Sequence, residues 1–324
     1  MGPKRRGVRR RAGAGAAVLT ALTVMAALTA GGLAGCGTSG QRIAGAAAWV
    51  TPPAGALPSA ADSASVAAPS GTPASPTARR SSAAAAPKPA VPAGARTFTI
   101  VNADNQTIWV ASNRNNSHPL AATGWKLAPG QSTTVVVPSQ WGGRIWGRTG
   151  CSFDASGHGH CQTGDCGGVF QCVGSGATPA TLGEFSLAAW GGLDFYDVSM
   201  VDGSNLPMYV NISNTSTKDR VSPTGCSSGG CTRPVACPSG PMQVTSGGQV
   251  IACRNACAAF NTDTYCCRGS WAGRDNCVPS RWPVDYTAVF KDAEPYAYSY
   301  AFDDSATMSC KGGCDYRVTF GVTP

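Results

Sequence analysis

A small set of side chains near the middle of the chain has the types and spacing for proton and charge chemistry. Glu184, Asp194, Asp197 and Asp202 crowd one stretch, and Arg144, Trp146 and Arg148 precede them in GGRIWGRTG. Crowded carboxylates push one another's pKa values apart, so one keeps its proton while another stays ionised. A neighbouring arginine holds a carboxylate ionised and orients it. Between the arginine and the acids lies CSFDASGHGHCQTGDCGGVFQC, residues 151–172, with four cysteines in 22 residues. Such a segment builds no core and reads as a stapled loop beside a binding cleft. His158 and His160 sit inside it, and His118 is the third of only three histidines. Cysteine pairs at zinc spacing have no matching pairs, so the histidines read as surface residues, and neither metal nor cofactor is expected.

The elements that must position these groups read as short strands. Residues 96–102 and 106–112 alternate around a turn at 102–106, and 125–131 ends in a Pro-Gly turn before the β-branched run 132–138. Strands follow at 144–149, 182–187, 193–200, 208–212 and 316–320. Alternation puts every second residue on one face, so Asp197 and Asp202 share a cleft only if a turn intervenes. Many short strands, frequent Gly and almost no helical period predict an all-β sandwich. Residues 221–290 differ: cysteines crowd there, apolar content is modest, and one short helix is expected from Cys253. This stretch reads as a disulfide-rich lobe inserted into the sandwich, with a ligand cleft between the two.

The flanking sequence speaks to location. Of 15 cysteines, 14 lie between residues 151 and 314, a density of oxidising compartments. The chain opens with basic residues and an Ala-rich apolar run, an export-signal pattern over 1–35. Its end, Leu33-Ala34-Gly35-Cys36, resembles a bacterial lipoprotein cleavage box, which implies a lipid on Cys36 and a place on the outer face of the bacterial cell membrane; an ordinary secreted protein is the alternative. Within the following stretch, residues 37–95, Ala, Pro, Ser and Gly make up 43 of 59, so 36–95 reads as a disordered tether. Residues 1–95 carry ten Lys/Arg and one acid, leaving 15 and 16 for the rest. The folded part, 96–324, is therefore nearly neutral, which argues against a nucleic-acid partner; the only membrane contact expected is the lipid.

The motifs carry a resemblance. Residues 157–172, GHGHCQTGDCGGVFQC, with GGRIWGRTGC, TLGEFSL, DFYDVSMVDG, NLPM, AYSY and YRVTF in order, are similar to the thaumatin-like proteins of the pathogenesis-related group. That family implies a flattened sandwich of about eleven strands, a disulfide-rich lobe and an acidic cleft between them. Its plant members are defence proteins; several bind β-1,3-glucans and some hydrolyse them weakly. The resemblance implies disulfides Cys151–Cys161, Cys166–Cys172, Cys226–Cys310, Cys237–Cys253, Cys257–Cys266 and Cys267–Cys277. Glu294 stands where the family has the partner of Cys231, and Cys314 is extra, so arithmetic pairs Cys231 with Cys314.

The family's acidic cleft matches at Arg144, Glu184, Asp197 and Asp202; its fifth acid is replaced by Tyr296, with Asp292 and Glu294 nearby. In glycoside hydrolysis one carboxyl group protonates while another is ionised. Glu184 would be the acid, Asp197 or Asp202 the nucleophile or base, and Arg144 the group that orients them. Tyr196, Trp190, Trp146 and Phe195 are candidates to stack on sugar rings, each with sandwich-core packing as the alternative, and Tyr296 is a further aromatic candidate near the cleft. The sequence thus expects a monomeric, exported β-1,3-glucan-type polysaccharide-binding protein with an antifungal role. The alternatives are an endo-β-1,3-glucanase and a non-catalytic cell-envelope module.

Overall fold

The computed structural model describes residues 91–213, 232–311 and 313–323. The expected signal segment, Cys36, the tether up to residue 90, and the cysteines Cys226 and Cys231 lie outside them.

Alternation of apolar and polar side chains builds the strands of the first half: β1 (Arg96–Asn102), β2 (Ile108–Ser112), β3 (Gly124–Leu127), β4 (Ser132–Val137) and β5 (Gly142–Arg148). The stapled loop contributes the short β6 (Ser152–Phe153) and β7 (Gly159–His160). Next come β8 (Leu182–Ser186), β9 (Leu193–Ser199) and β10 (Met208–Ser213). The lobe holds the hairpin β11 (Gln243–Ser246) and β12 (Gln249–Cys253), then α1 (Ala256–Phe260) and α2 (Thr287–Ala293). β13 (Met308–Lys311) and β14 (Asp315–Phe320) finish the fold.

Two larger sheets result. One runs β10-β14-β1-β4, and the other β13-β9-β8-β5-β2-β3. β1 pairs parallel with β14 and antiparallel with β4, so the first and last strands lie side by side. The sandwich and its disulfide-rich lobe are therefore as the sequence reads, with sheets of four and six strands plus two short hairpins. The helix content differs. α2 joins α1 because Thr287, Phe290 and Ala293 form a buried stripe; seven residues without a side-chain cap give little periodic signal.

The facing sheets share an aromatic core. The Phe98 ring lies 4.6 Å from Phe185 and 5.0 Å from Tyr316, and Tyr316 lies 5.2 Å from Tyr196. Tyr196 is 2 % exposed, so it is a core residue and not the sugar-stacking group expected from sequence. Beside this cluster a buried ion pair joins the sheets. Arg96 of β1 donates through Nε and Nη2 to Asp194 of β9 at 2.7 and 2.9 Å. The Tyr316 hydroxyl and the Ala188 N–H donate to the same carboxylate at 3.0 and 2.8 Å. With four donors, the desolvated charge is compensated. Asp194 is thus a clasp between sheets and no part of the acidic cleft.

Disulfides replace a core in the lobe and the stapled loop. Cys237–Cys253, Cys257–Cys266 and Cys267–Cys277 close the lobe, and Cys151–Cys161 and Cys166–Cys172 close the loop. Cys310 and Cys314 lie side by side across the short connection between β13 and β14; the expected Cys226–Cys310 and Cys231–Cys314 pairs fall on Cys226 and Cys231, which lie outside the described residues.

Arg148 anchors the stapled loop. It is completely buried, and its guanidinium donates to Trp109 O at 3.0 Å, Val169 O at 3.0 Å and Phe170 O at 2.8 Å. The rings of Phe153 and Phe170 flank it at 5.3 and 5.5 Å. Burial pulls its pKa down to about 10, which leaves it charged at neutral pH. Trp146, on the same face, is also fully buried and donates its indole N–H to Gly164 O at 2.9 Å; it too is packing, not a sugar platform. Arg148→Met leaves the carbonyls of both β2 and the loop unpaired. The expected loss, on the order of 3 kcal/mol, is measurable by urea unfolding with disulfides intact. A loss below about 1 kcal/mol would remove the anchoring role.

Candidate functional site

Three strands bring the expected charged groups into one row. Arg144 of β5 lies directly opposite Glu184 of β8, and Glu184 lies directly opposite Asp197 of β9. Cross-strand partners point to the same face, with Cβ atoms about 4.5–5.5 Å apart. The chain neighbours Ile145, Phe185, Tyr196 and Val198 are buried in the core, so core packing sets which face the charges take.

Asp202 reaches the row by a turn. β9 ends at Ser199, and Gly203 N–H donates to Met200 O at 2.9 Å. Gly203 has φ +88°, and a Cβ there would meet Cys253 O at 2.4 Å, so no larger residue fits. The turn returns Asp202 to Arg144: Nη1 lies 3.4 Å from Asp202 Oδ2, while Nη2 lies 3.3 Å from Glu184 Oε1. One guanidinium thus ties together two acids from separate segments. Asn113, just past β2, fixes the arginine backbone by accepting from Arg144 N–H at 2.6 Å.

The carboxyl groups differ in environment. Burial raises the pKa of Glu184; Arg144 opposes the rise, Asp202 adds to it, and a hydrogen bond from Ser199 opposes it again. Asp197 is pushed well above the ordinary carboxylate range, first by burial and then by Glu184, with Arg144 offsetting part. Its Oδ1 is closed off from solvent and has no hydrogen-bond partner among the described residues. Asp197 is therefore the acid of the row pushed most strongly toward its neutral form, whereas Glu184 and Asp202 share the cation. The sequence put the acid at Glu184; the depth that raises Asp197 further is not visible in spacing.

The aromatic residues sort differently from expectation. Tyr296, placed at the ligand from sequence, is half-buried against the main core cluster. Tyr298, two residues on, is the phenol near the acids. It forms a parallel bridge with Ser199, and its pKa is raised by burial, with smaller contributions from Asp197 and Glu184. The AYSY motif marked its place, but spacing did not show which tyrosine turns toward the row. Phe195 lies on the outward face between Ser186 and Ser309, and Trp190 is 74 % exposed at the β8–β9 connection. Glu294 is buried beside Thr232 and Lys291, and burial raises its pKa well above normal. Asp292 is exposed. Neither is among the groups acting on Glu184 or Asp197, so neither replaces the missing fifth acid. His160 pairs with Asp165 at 3.0 Å. Among the described residues no group of three or more His, Cys, Asp or Glu is arranged to hold a metal.

Comparison with known proteins settles the lineage. The model of the thaumatin family matches residues 102–322. The chain belongs to the thaumatin family. This thaumatin-family chain is 46 % identical over 233 residues to pathogenesis-related thaumatin-like protein 3.5 of Cryptomeria japonica, covering 70 % of this chain and 90 % of the relative. It is 43 % identical over 229 residues to pathogenesis-related protein 5 of Arabidopsis thaliana, with the same coverage. Among solved structures, a laminaripentaose-producing β-1,3-glucanase in complex with laminaritetraose superposes with TM-score 0.47 and 13 % identity, over 71 % of this chain and 99 % of that one. A superposition that weak carries no argument about activity.

The raised pKa of Asp197 has a consequence for stability. Unfolded, it titrates at about 3.9. Below that value both states are protonated and the residue costs nothing. Between that value and the elevated folded pKa the unfolded chain ionises while the native residue keeps its proton, so stability is lost as pH rises across this window. Asp197→Asn is therefore expected to raise the melting temperature at pH 7, with the difference closing as pH falls below about 4. Thermal unfolding across a pH series tests this, and a constant difference at every pH would contradict it.

Proposed function

We propose that this thaumatin-family domain is an exported, glycan-binding module whose Arg144–Glu184–Asp197 row, extended by Asp202, grips a β-1,3-glucan-type polymer. The observation that carries the reading is the row itself: charged donors and acceptors side by side on an outward sheet face. Arg144 supplies donors, Glu184 and Asp202 supply carboxylate oxygens beside it, and Asp197, pushed toward its neutral form by burial, is the member disposed to offer an O–H. That mixture matches sugar hydroxyls, which donate and accept at once. The disulfides suit an extracytoplasmic location, and the leader reading adds a lipid on Cys36 and a tether over 36–95. Defence against fungal walls is the role that fits such a ligand.

A second reading, hydrolysis, is favoured by one observation: adjacent carboxyl groups in unlike environments. In it Asp197 donates the proton to the leaving oxygen, and Glu184, held by Arg144, is the ionised partner. Insoluble glucans of different linkage, assayed for retention and reducing-sugar release, decide between the two. Binding to β-1,3-glucan without product supports the module; product that disappears in both Asp197→Asn and Glu184→Gln supports the hydrolase. Glu184→Gln is expected to weaken retention roughly tenfold, the worth of one charge-assisted hydrogen bond. A wild-type protein that neither binds nor cleaves any glucan leaves the envelope module as the surviving reading.

A further inference from the structure

One buried acid takes no part in the charged row. Glu294 follows α2 directly and is 1 % exposed. Both of its carboxyl oxygens are closed off from solvent, and neither has a hydrogen-bond partner among the described residues. Ionised in that position, the group would lack the donors that normally compensate a buried charge. It also sits at a helix end, where carbonyl groups concentrate negative partial charge and oppose a further negative group.

The neighbouring charges do not rescue the ionised form. Lys291 of α2 and the Thr232 hydroxyl both favour it, but burial outweighs them. The Lys291 ammonium is committed elsewhere: it donates to Ala297 O at 2.7 Å and pairs with Asp303. Arg233, packed against the helix end, turns its guanidinium outward to Asp292 O at 2.8 Å, and the Asp292 side chain is exposed. Three segments meet beside this carboxyl group. Arg233 N–H donates to Ala293 O at 3.1 Å, and Thr323 N–H donates to Thr232 O at 3.2 Å. The end of α2, the lobe entry at 232–235 and the exit from β14 are thus tied together. From Glu294 the chain runs on to Tyr298, whose N–H donates to Val198 O at 2.8 Å, next to Asp197. The junction therefore borders the row through the backbone.

We propose that Glu294 is a pH-set latch: protonated, it lets the lobe entry pack against α2, and ionised, it draws in water and releases that entry. The sign follows from proton linkage. Once open, the group titrates at the ordinary glutamate value of about 4.3, whereas closed it keeps its proton to higher pH. Across that window each unit of pH raises the open population up to about tenfold, so the tie weakens as pH rises.

Hydrogen exchange of the full chain over a pH series tests the latch. It is read by mass spectrometry on peptides covering 232–237 and 287–297, neither of which contains Asp197, and divided by the intrinsic exchange rate. Wild type is expected to open up to about tenfold more per pH unit. Glu294→Gln keeps the shape, cannot ionise, and is expected to stay level. An equal rise in a folded Glu294→Gln, or a level profile in wild type above about pH 4.3, overturns the latch. Carbon-13 NMR of the wild-type carboxyl groups needs no variant. A Glu294 resonance that titrates together with the exchange supports the latch, and one that ionises in the ordinary glutamate range while the junction stays closed overturns it.

Discussion

The register of β5, β8 and β9 is the constraint on which the site depends. Side chains alternate with a period of two, so a slip of one residue between β8 and β9 would exchange the core and solvent faces. With β8 held by β5, Asp197 of β9 would then point toward the Phe98 and Tyr316 rings, and Tyr196 would face water. Burying such a ring is worth about 1.5–3 kcal/mol for a phenylalanine-sized side chain, far more than an exposed ion pair provides. The charged row is therefore held in place by what lies behind it. Asp194 reinforces the same register from the inner face by binding Arg96 and Tyr316 of the opposite sheet.

Arginines in one strand show how position decides role. Arg144 and Arg148 are both on the outward face of β5. Arg148 is covered by the stapled loop, and main-chain carbonyls satisfy its donors in place of carboxylates. Arg144 lies beyond that cover, 27 % of its side chain stays accessible, and it meets acids instead. The loop thus does two things: it completes a small second core around Trp146, and its edge sets where the open part of the sheet begins.

Acids near β9 divide in the same manner. Asp194 is buried against Arg96 and is fully compensated. Asp197 is turned outward yet lies deep, with an unpaired oxygen, which favours its neutral form. Asp202 is at the surface, carried by a turn that only Gly203 permits. Identical side chains therefore meet three environments: a compensated ion pair, a deep position that favours the neutral form, and an exposed turn beside Arg144.

The sequence by itself determined the sandwich and the Cys-rich lobe, and it put forward Arg144, Glu184, Asp197 and Asp202, which the strand register and one turn draw into a row. Strand alternation, turn residues and ordered motifs are local signals, and local signals are written in residue types. The tertiary structure alone decided that Tyr196 belongs to the core, that Tyr298 rather than Tyr296 approaches the acids, and that Asp194 is a clasp. It also decided that burial acts more strongly on Asp197 than on Glu184, and that Cys310 lies beside Cys314. Each of these depends on which faces are covered and how deeply, and desolvation is set by neighbours distant in the chain, which spacing along it does not encode.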